Sequence, residues 1–163
     1  MKIAFDEHVP PLLVRVFESL VKEGDVIPAE FVSARDYGVP KAKSDVPWLV
    51  RFAKEGGRVV ISGDKKMRGN LHEQAAIVGS GLVVFFFHPK WNNLDPWTRA
   101  ASLIKWWPKV QEAINSARPG DMFEIPADFG DGDLRNVTPP HSLPRKAMQS
   151  RGGGQVQREA AKE

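Results

Sequence analysis

The chain has 163 residues, 42% of them hydrophobic, and carries 23 basic against 20 acidic side chains for a formal charge of +3. That length supports one domain with a sizeable core, and a pI near 9.3 mildly favours a polyanionic partner. The absence of cysteine excludes a disulfide framework, a thiolate zinc site and a cysteine nucleophile, and it suits a reducing cytoplasm.

No basic segment followed by a long apolar one opens the chain, so no signal peptide is expected. Residues 2–5 read as a first strand. Pro10-Pro11 then stand where a first helical turn tolerates proline, and Leu12, Leu13, Val16, Phe17, Leu20 and Val21 recur at helical spacing up to a stop at Gly24. Residues 26–32 have weak strand character, interrupted by Pro28, and residues 35–43 read as a loop. Ser44 is placed to cap a helix whose buried face is Trp48, Leu49, Phe52 and Ala53, with Gly56-Gly57 as its stop. Residues 59–61 form a short, wholly apolar strand, as in a parallel sheet covered on both faces. A helix over 71–78, stopped by Gly79, leads to a buried strand over 82–87, a run too short to span a bilayer. Asp95-Pro96 starts a helix running to about Ala117, with a kink or break expected at Pro108 and core contacts from Trp97, Leu103, Ile104, Trp107 and Ile114. Residues 122–125 supply a last edge strand.

After Pro126 large apolar residues thin out. The division expected is a folded domain over 1–126 and a flexible or partner-binding tail over 127–163. Alternating strands and helices predict a three-layer α/β domain with a mostly parallel central sheet of about four or five strands.

Three acids mark element ends. Asp6 follows the apolar run Ile3-Ala4-Phe5, Asp45 opens a helix, and Asp64 follows Val59-Val60-Ile61. In a parallel α/β sheet such positions converge on one crevice. Carboxylates gathered there repel unless a cation sits among them, and Mg2+ or Mn2+ meets that need. Each acid has an ordinary alternative: Asp6 as a turn former, Asp45 as a first-turn acid, Asp64 as the cap of a segment beginning at Lys65.

The opening Met1-Lys2-Ile3-Ala4-Phe5-Asp6-Glu7-His8-Val9-Pro10-Pro11 resembles the start of compact PIN-like domains. So do Ser44-Asp45-Val46-Pro47-Trp48-Leu49 and Gly57-Arg58-Val59-Val60-Ile61-Ser62-Gly63-Asp64, the last matching the family's Thr/Ser-x-Asp turn. The resemblance covers roughly residues 1–125 and is closest to VapC-type toxins. It implies a cytoplasmic, metal-dependent endoribonuclease paired with an antitoxin, with Asp6, Asp45 and Asp64 as the catalytic metal ligands. Fuller PIN domains carry a further acid, usually glutamate, on a helix before the position of Asp45. The segment 22–43 is too short for that insert, and Glu7, Glu30 and Asp36 are the candidates to replace it.

Ser62 is placed to orient Asp64 or a bound water, and Lys65, Lys66 and Arg68 to grip RNA phosphates, although such a run is usually a solvated surface. His8 reads as a local hydrogen bonder, while His72 and His88 lack ligand spacing. Trp97 and Trp107 fit a core face, whereas an exposed Trp91 or Trp106 would mark a protein interface. The partners expected are RNA, an antitoxin and a second copy of the chain, with no membrane. Two other readings stand beside the nuclease. One is a non-catalytic PIN-like module binding nucleic acid or protein. The other is a phosphoryl-handling domain of receiver or phosphatase type, for which Ser62-Gly63-Asp64-Lys65 is a poor match.

Overall fold

The computed structural model describes residues 1–23, 28–37 and 44–140. Strand β1 (Lys2–Phe5) is followed by α1 (Pro11–Glu23), β2 (Glu30–Ser33), a 3-10 turn (Ala34–Tyr37), α2 (Val46–Lys54) and β3 (Gly57–Ser62). The short α3 (Lys65–Gly69), α4 (Leu71–Ser80), β4 (Val83–Phe87), α5 (Pro96–Ser116), β5 (Met122–Ile125) and β6 (Arg135–Asn136) complete the order. The expected stop at Gly24, the start of a strand at 26–27, most of the 35–43 loop, and residues 141–163 of the tail lie outside the described residues.

The sheet has six strands in the order β2-β1-β3-β4-β5-β6. All neighbours pair in parallel except β5 with β6. Because β1 and β3 are buried on both faces, they read as continuous apolar runs, and successive residues serve opposite layers. Ile3, Phe5, Val59, Ile61 and Phe85 join Leu13 and Phe17 of α1 and Trp106, Trp107 and Val110 of α5. Ala4, Val60, Val84 and Phe86 join Trp48, Leu49 and Phe52 of α2, Met67 of α3 and Ile77 of α4. The molecule is therefore a three-layer α/β domain with a mostly parallel central sheet.

Several local expectations are corrected. Gly79 lies inside α4, and the stop is Gly81, whose φ of 69° is a left-handed conformation that side chains resist. The α1 stripe is rotated: Leu13, Val14 and Phe17 are buried, while Leu12 and Leu20 face solvent. Helix α5 is continuous from Pro96 to Ser116, so of the kink or break expected at Pro108 the break does not occur. Its buried face is Leu103, Trp106, Trp107, Val110 and Ile114, which leaves Ile104 exposed and Trp97 76% exposed. Trp91 and Trp106 are core residues: Trp91 stacks on Phe87 and donates its indole N–H to the Pro126 carbonyl at 2.9 Å.

Ordered structure also continues past Pro126. Phe129 packs edge-on against Trp106, β6 pairs with β5, and the Val137 amide donates to the Met122 carbonyl at 2.8 Å. Sparse apolar content hid this segment: among its described residues only Phe129, Leu134 and Val137 pack on the cores, beside backbone hydrogen bonds and the Lys109–Asp133 and Arg135–Glu124 pairs. The segment 122–125 is thus not the edge of the sheet; β6 is.

Candidate functional site at the carboxyl edge of the sheet

Parallel strands β1 and β3 end side by side, with Phe5 opposite Ile61. The next residues, Asp6 and Ser62, therefore meet at the carboxyl edge. Asp6 is buried, at 3% exposure, and its carboxylate organises the chain around it. Oδ2 accepts the Ser62 hydroxyl, the Gly63 amide at 2.9 Å and the Asp64 amide at 3.2 Å. Oδ1 accepts the His8 amide at 3.0 Å. The turn after β3 is thereby fastened to the turn after β1. Gly63 allows this closeness, since a Cβ there would stand 3.1 Å from the His8 Cβ.

Asp64 follows in extended conformation and caps α3, with Oδ1 accepting the Lys66 amide at 2.7 Å. The capping alternative seen in the sequence is real, and it leaves Oδ2 without a hydrogen bond among the described residues. Ser62 is completely buried and bridges Asp6 and the Asp64 amide, which it approaches at 3.1 Å. Its hydroxyl is taken up by these two acids.

Asp45 precedes α2. It makes no side-chain cap; the Ser44 hydroxyl instead accepts the Val46 amide at 3.3 Å. Asp45 Oδ1 accepts the Trp48 indole N–H at 2.8 Å. Burial pushes the Asp45 carboxyl above its usual range; the Trp48 bond opposes this, and the charges of Asp64, Asp6 and Glu7 add to it. Asp6, Asp45 and Asp64 thus share one electrostatic environment.

Sequence reasoning missed Glu73. This glutamate, on the first turn of α4, is 4% exposed and accepts the Asp45 amide at 3.2 Å. Burial raises its pKa, the hydrogen bond from Asp45 opposes the rise, and the charges of Asp45 and Asp64 reinforce it. The signal present in the sequence was Asn70-x-x-Glu73, a helix-start pattern. Asn70 does cap α4 through the His72 and Glu73 amides. Glu73, however, reaches across to α2 instead of back to its own helix start, and no local pattern encodes that.

Of the candidates for a further acid, Glu30 pairs with Lys2 at the opposite end of the strands and so lies away from the crevice. Asp36 is spent on the turn after β2, accepting the Ser33 amide at 3.2 Å. Glu7 is exposed, and its charge reaches Asp45 and His8. His8 places Nδ1 3.7 Å from Asp6 Oδ2. The Asp6 carboxylate facing the ring is the largest influence in lifting the His8 pKa to about 9; burial opposes the rise, and the charges of Asp64 and Glu7 assist it. Lys66 is exposed, Arg68 is half-buried on Glu124, and the Lys65 side chain lies outside the described residues.

Among the described residues, no three His, Asp or Glu side chains stand in the geometry of a metal cage. A hard cation such as Mg2+ does not need one: it keeps several waters and takes one or two carboxylates. The Oδ2 atoms of Asp45 and Asp64, which make no hydrogen bond among the described residues, have the chemistry for that arrangement.

Residues 1–89, more than half of the chain, match the family described as PIN-like domain. The chain belongs to the PIN-like domain family. The matched segment runs from β1 through β4 and includes Asp6, Asp45, Asp64 and Glu73. In this PIN-like domain, α5, β5 and β6 lie beyond the match. Neither the curated proteins nor the solved structures gave a match. No helix among the described residues is long and apolar enough to cross a membrane.

Proposed function

We propose that this PIN-like domain is a divalent-metal-dependent endoribonuclease. The observation that carries the reading is the fastening of Asp64 to Asp6 through Ser62 and Gly63, with the charge of Asp45 in reach, at the edge where open parallel sheets take ligands. Asp45 and Asp64 offer Oδ2 as ligands for Mg2+ or Mn2+, with Asp6 fixing the turn that aims Asp64. When bound, the ion supplies an activated water and stabilises charge on the scissile phosphate. Glu73 holds the Asp45 backbone in place and contributes negative charge to the same crevice. Lys66, beside Asp64, is available to neutralise an RNA phosphate.

The test is cleavage of a labelled single-stranded RNA with Mg2+ or Mn2+ added. Wild type should cut, and chelator or Asp64→Asn should abolish cutting. Cleavage that survives both would end the metal mechanism.

The narrower assignment as a VapC-type toxin rests on the resemblance of the segments around Asp6, Asp45 and Asp64. It proposes an antitoxin that lays an arginine or lysine across the acidic crevice. Expression of wild type without a partner should arrest growth, while Asp64→Asn should not; equal growth of both would reject the toxin assignment. One observation favours a second reading, a non-catalytic binding module. Both Asp6 oxygens are already engaged by protein donors, so the crevice is self-satisfied on that side. Failure of Mn2+ to bind the folded protein would select that reading.

A further inference from the structure

A second charged cluster stands on the same sheet edge, beyond the acidic crevice. Glu124 of β5 is 5% exposed, and it is held by two arginines. The Arg68 guanidinium of α3 donates to Oε2, and Arg135 of β6 donates to Oε1 at 3.2 Å. Neutralising a buried carboxylate requires one cation. Here there are two, and their side chains remain 42% and 52% exposed. The cluster carries a surplus positive charge. Nε and Nη2 of both arginines make no hydrogen bond among the described residues, leaving donors suited to a phosphate.

Placement ties this cluster to the acids. Ser62 is level with Phe86, and Phe86 with Glu124, so Glu124 lies two strand spacings from Ser62, about 10 Å. Asp64 and Arg68 sit four residues apart at the two ends of α3, roughly one helical turn. That helix is anchored at both ends, by the Asp64 cap and by the Gln74 side-chain Nε2 donating to the Arg68 carbonyl. Arg135 is level with Glu124 on the adjoining strand.

We propose that Arg68 and Arg135, set in place by Glu124, form a phosphate-binding arm that grips single-stranded RNA beside the cleavage point. The proposal rests on the nuclease reading above. Two of its three residues, Glu124 and Arg135, come from the part of the chain beyond the family match, so the arm is an addition of this chain to the matched segment. Glu124 acts as a positioning residue and the arginines as the binding groups.

The experiment measures equilibrium binding of a fluorescent single-stranded RNA to the full chain in the Asp64→Asn background, across a salt series. Each phosphate contact to a single strand contributes a slope of about 0.7 in log affinity against log salt. Arg135→Gln should weaken binding several-fold and lower the slope by about 0.7, while Arg135→Lys should keep most of the slope. Unchanged affinity and slope in folded Arg135→Gln would overturn the arm. If that variant does not fold, Arg68→Gln is read against the same two outcomes. Absence of RNA binding by the parent protein would instead strike the nuclease reading itself, so the two failures are distinguishable.

Discussion

Asp6 accepts hydrogen bonds from the Ser62 hydroxyl and from the amides of His8, Gly63 and Asp64. Removing such an acceptor leaves buried donors unpaired, at a cost of about 1–3 kcal/mol for each one that water cannot reach. Asp6→Ala should therefore lower stability by roughly 2–4 kcal/mol, read as a drop in the urea midpoint. An unchanged midpoint would mean that Asp6 does not organise the crevice. For this reason Asp64→Asn, with its exposed capping bond, is the cleaner catalytic probe. Gly57 is a packing counterpart. A Cβ there would stand 2.4 Å from the Phe52 ring, so Gly57→Ala should cost about 1–3 kcal/mol by the same measurement. Glu73 gives a pH test. Its folded pKa is raised, so the native state binds protons more readily than the unfolded one, and stability is lost as pH rises through the titration window. Glu73→Gln removes that penalty while keeping a carbonyl to accept the Asp45 amide. Without divalent ions, the variant should match or exceed wild type in urea at pH 7, and its advantage should shrink towards pH 4, near the ordinary glutamate value of 4.5. A large loss of stability at pH 7 would show that the charge itself is needed.

Elements are joined here by side chains that pattern alone does not assign. Segment 129–138 is the clearest case. Its Phe129 ring covers Trp106, with Lys105 and Lys109 over the ring face. Lys109 also pairs with Asp133 at 2.8 Å, and the Met122 amide donates to the Thr138 hydroxyl at 2.8 Å. Ending the chain after Pro126 removes all of these and leaves Glu124 with Arg68 alone. That truncation should lose on the order of 2–4 kcal/mol relative to one ending after Pro140. Equal thermal midpoints for the two would return the boundary to Pro126. The α5 phase error has a related cause. Trp97 and Ile104 are apolar, yet the buried face of α5 is Leu103, Trp106, Trp107, Val110 and Ile114, so Ile104, next to Leu103, falls on the outer face and Trp97 stands exposed in the first turn.

At the scale of the whole molecule, parallel strand order gathers chemistry at one edge. Asp6 and Ser62-Gly63-Asp64 follow or end strands there, Glu124 lies one residue before the end of β5, and Asp45 and Glu73 arrive from helix starts on one layer. Acids in the crevice and surplus arginine charge beside it make an asymmetric edge, suited to a cation and a polyanion together. RNA affinity should therefore fall steeply with salt, whereas cleavage at saturating RNA should depend chiefly on the divalent ion. Salt-independent binding would deny the electrostatic edge.

The layered fold and the placement of Asp6, Asp45 and Asp64 at element ends were legible in the sequence, because both depend on local signals. Buried parallel strands are continuous apolar runs, helices announce themselves by caps and spacing, and acids at element ends are visible one by one. The Ser62-Gly63-Asp64 turn was legible for the same reason. What only the tertiary structure decided involves partners distant along the chain. Glu73 lies 28 residues from Asp45 and Glu124 lies 56 from Arg68, and neither side chain is distinguishable in sequence from a solvated glutamate. The structural role of β6 was likewise hidden, since a two-residue strand is defined by its neighbour and not by its own composition. Burial of a polar group is a property of the assembled layers, and it is burial that turned these ordinary carboxylates into organising charges.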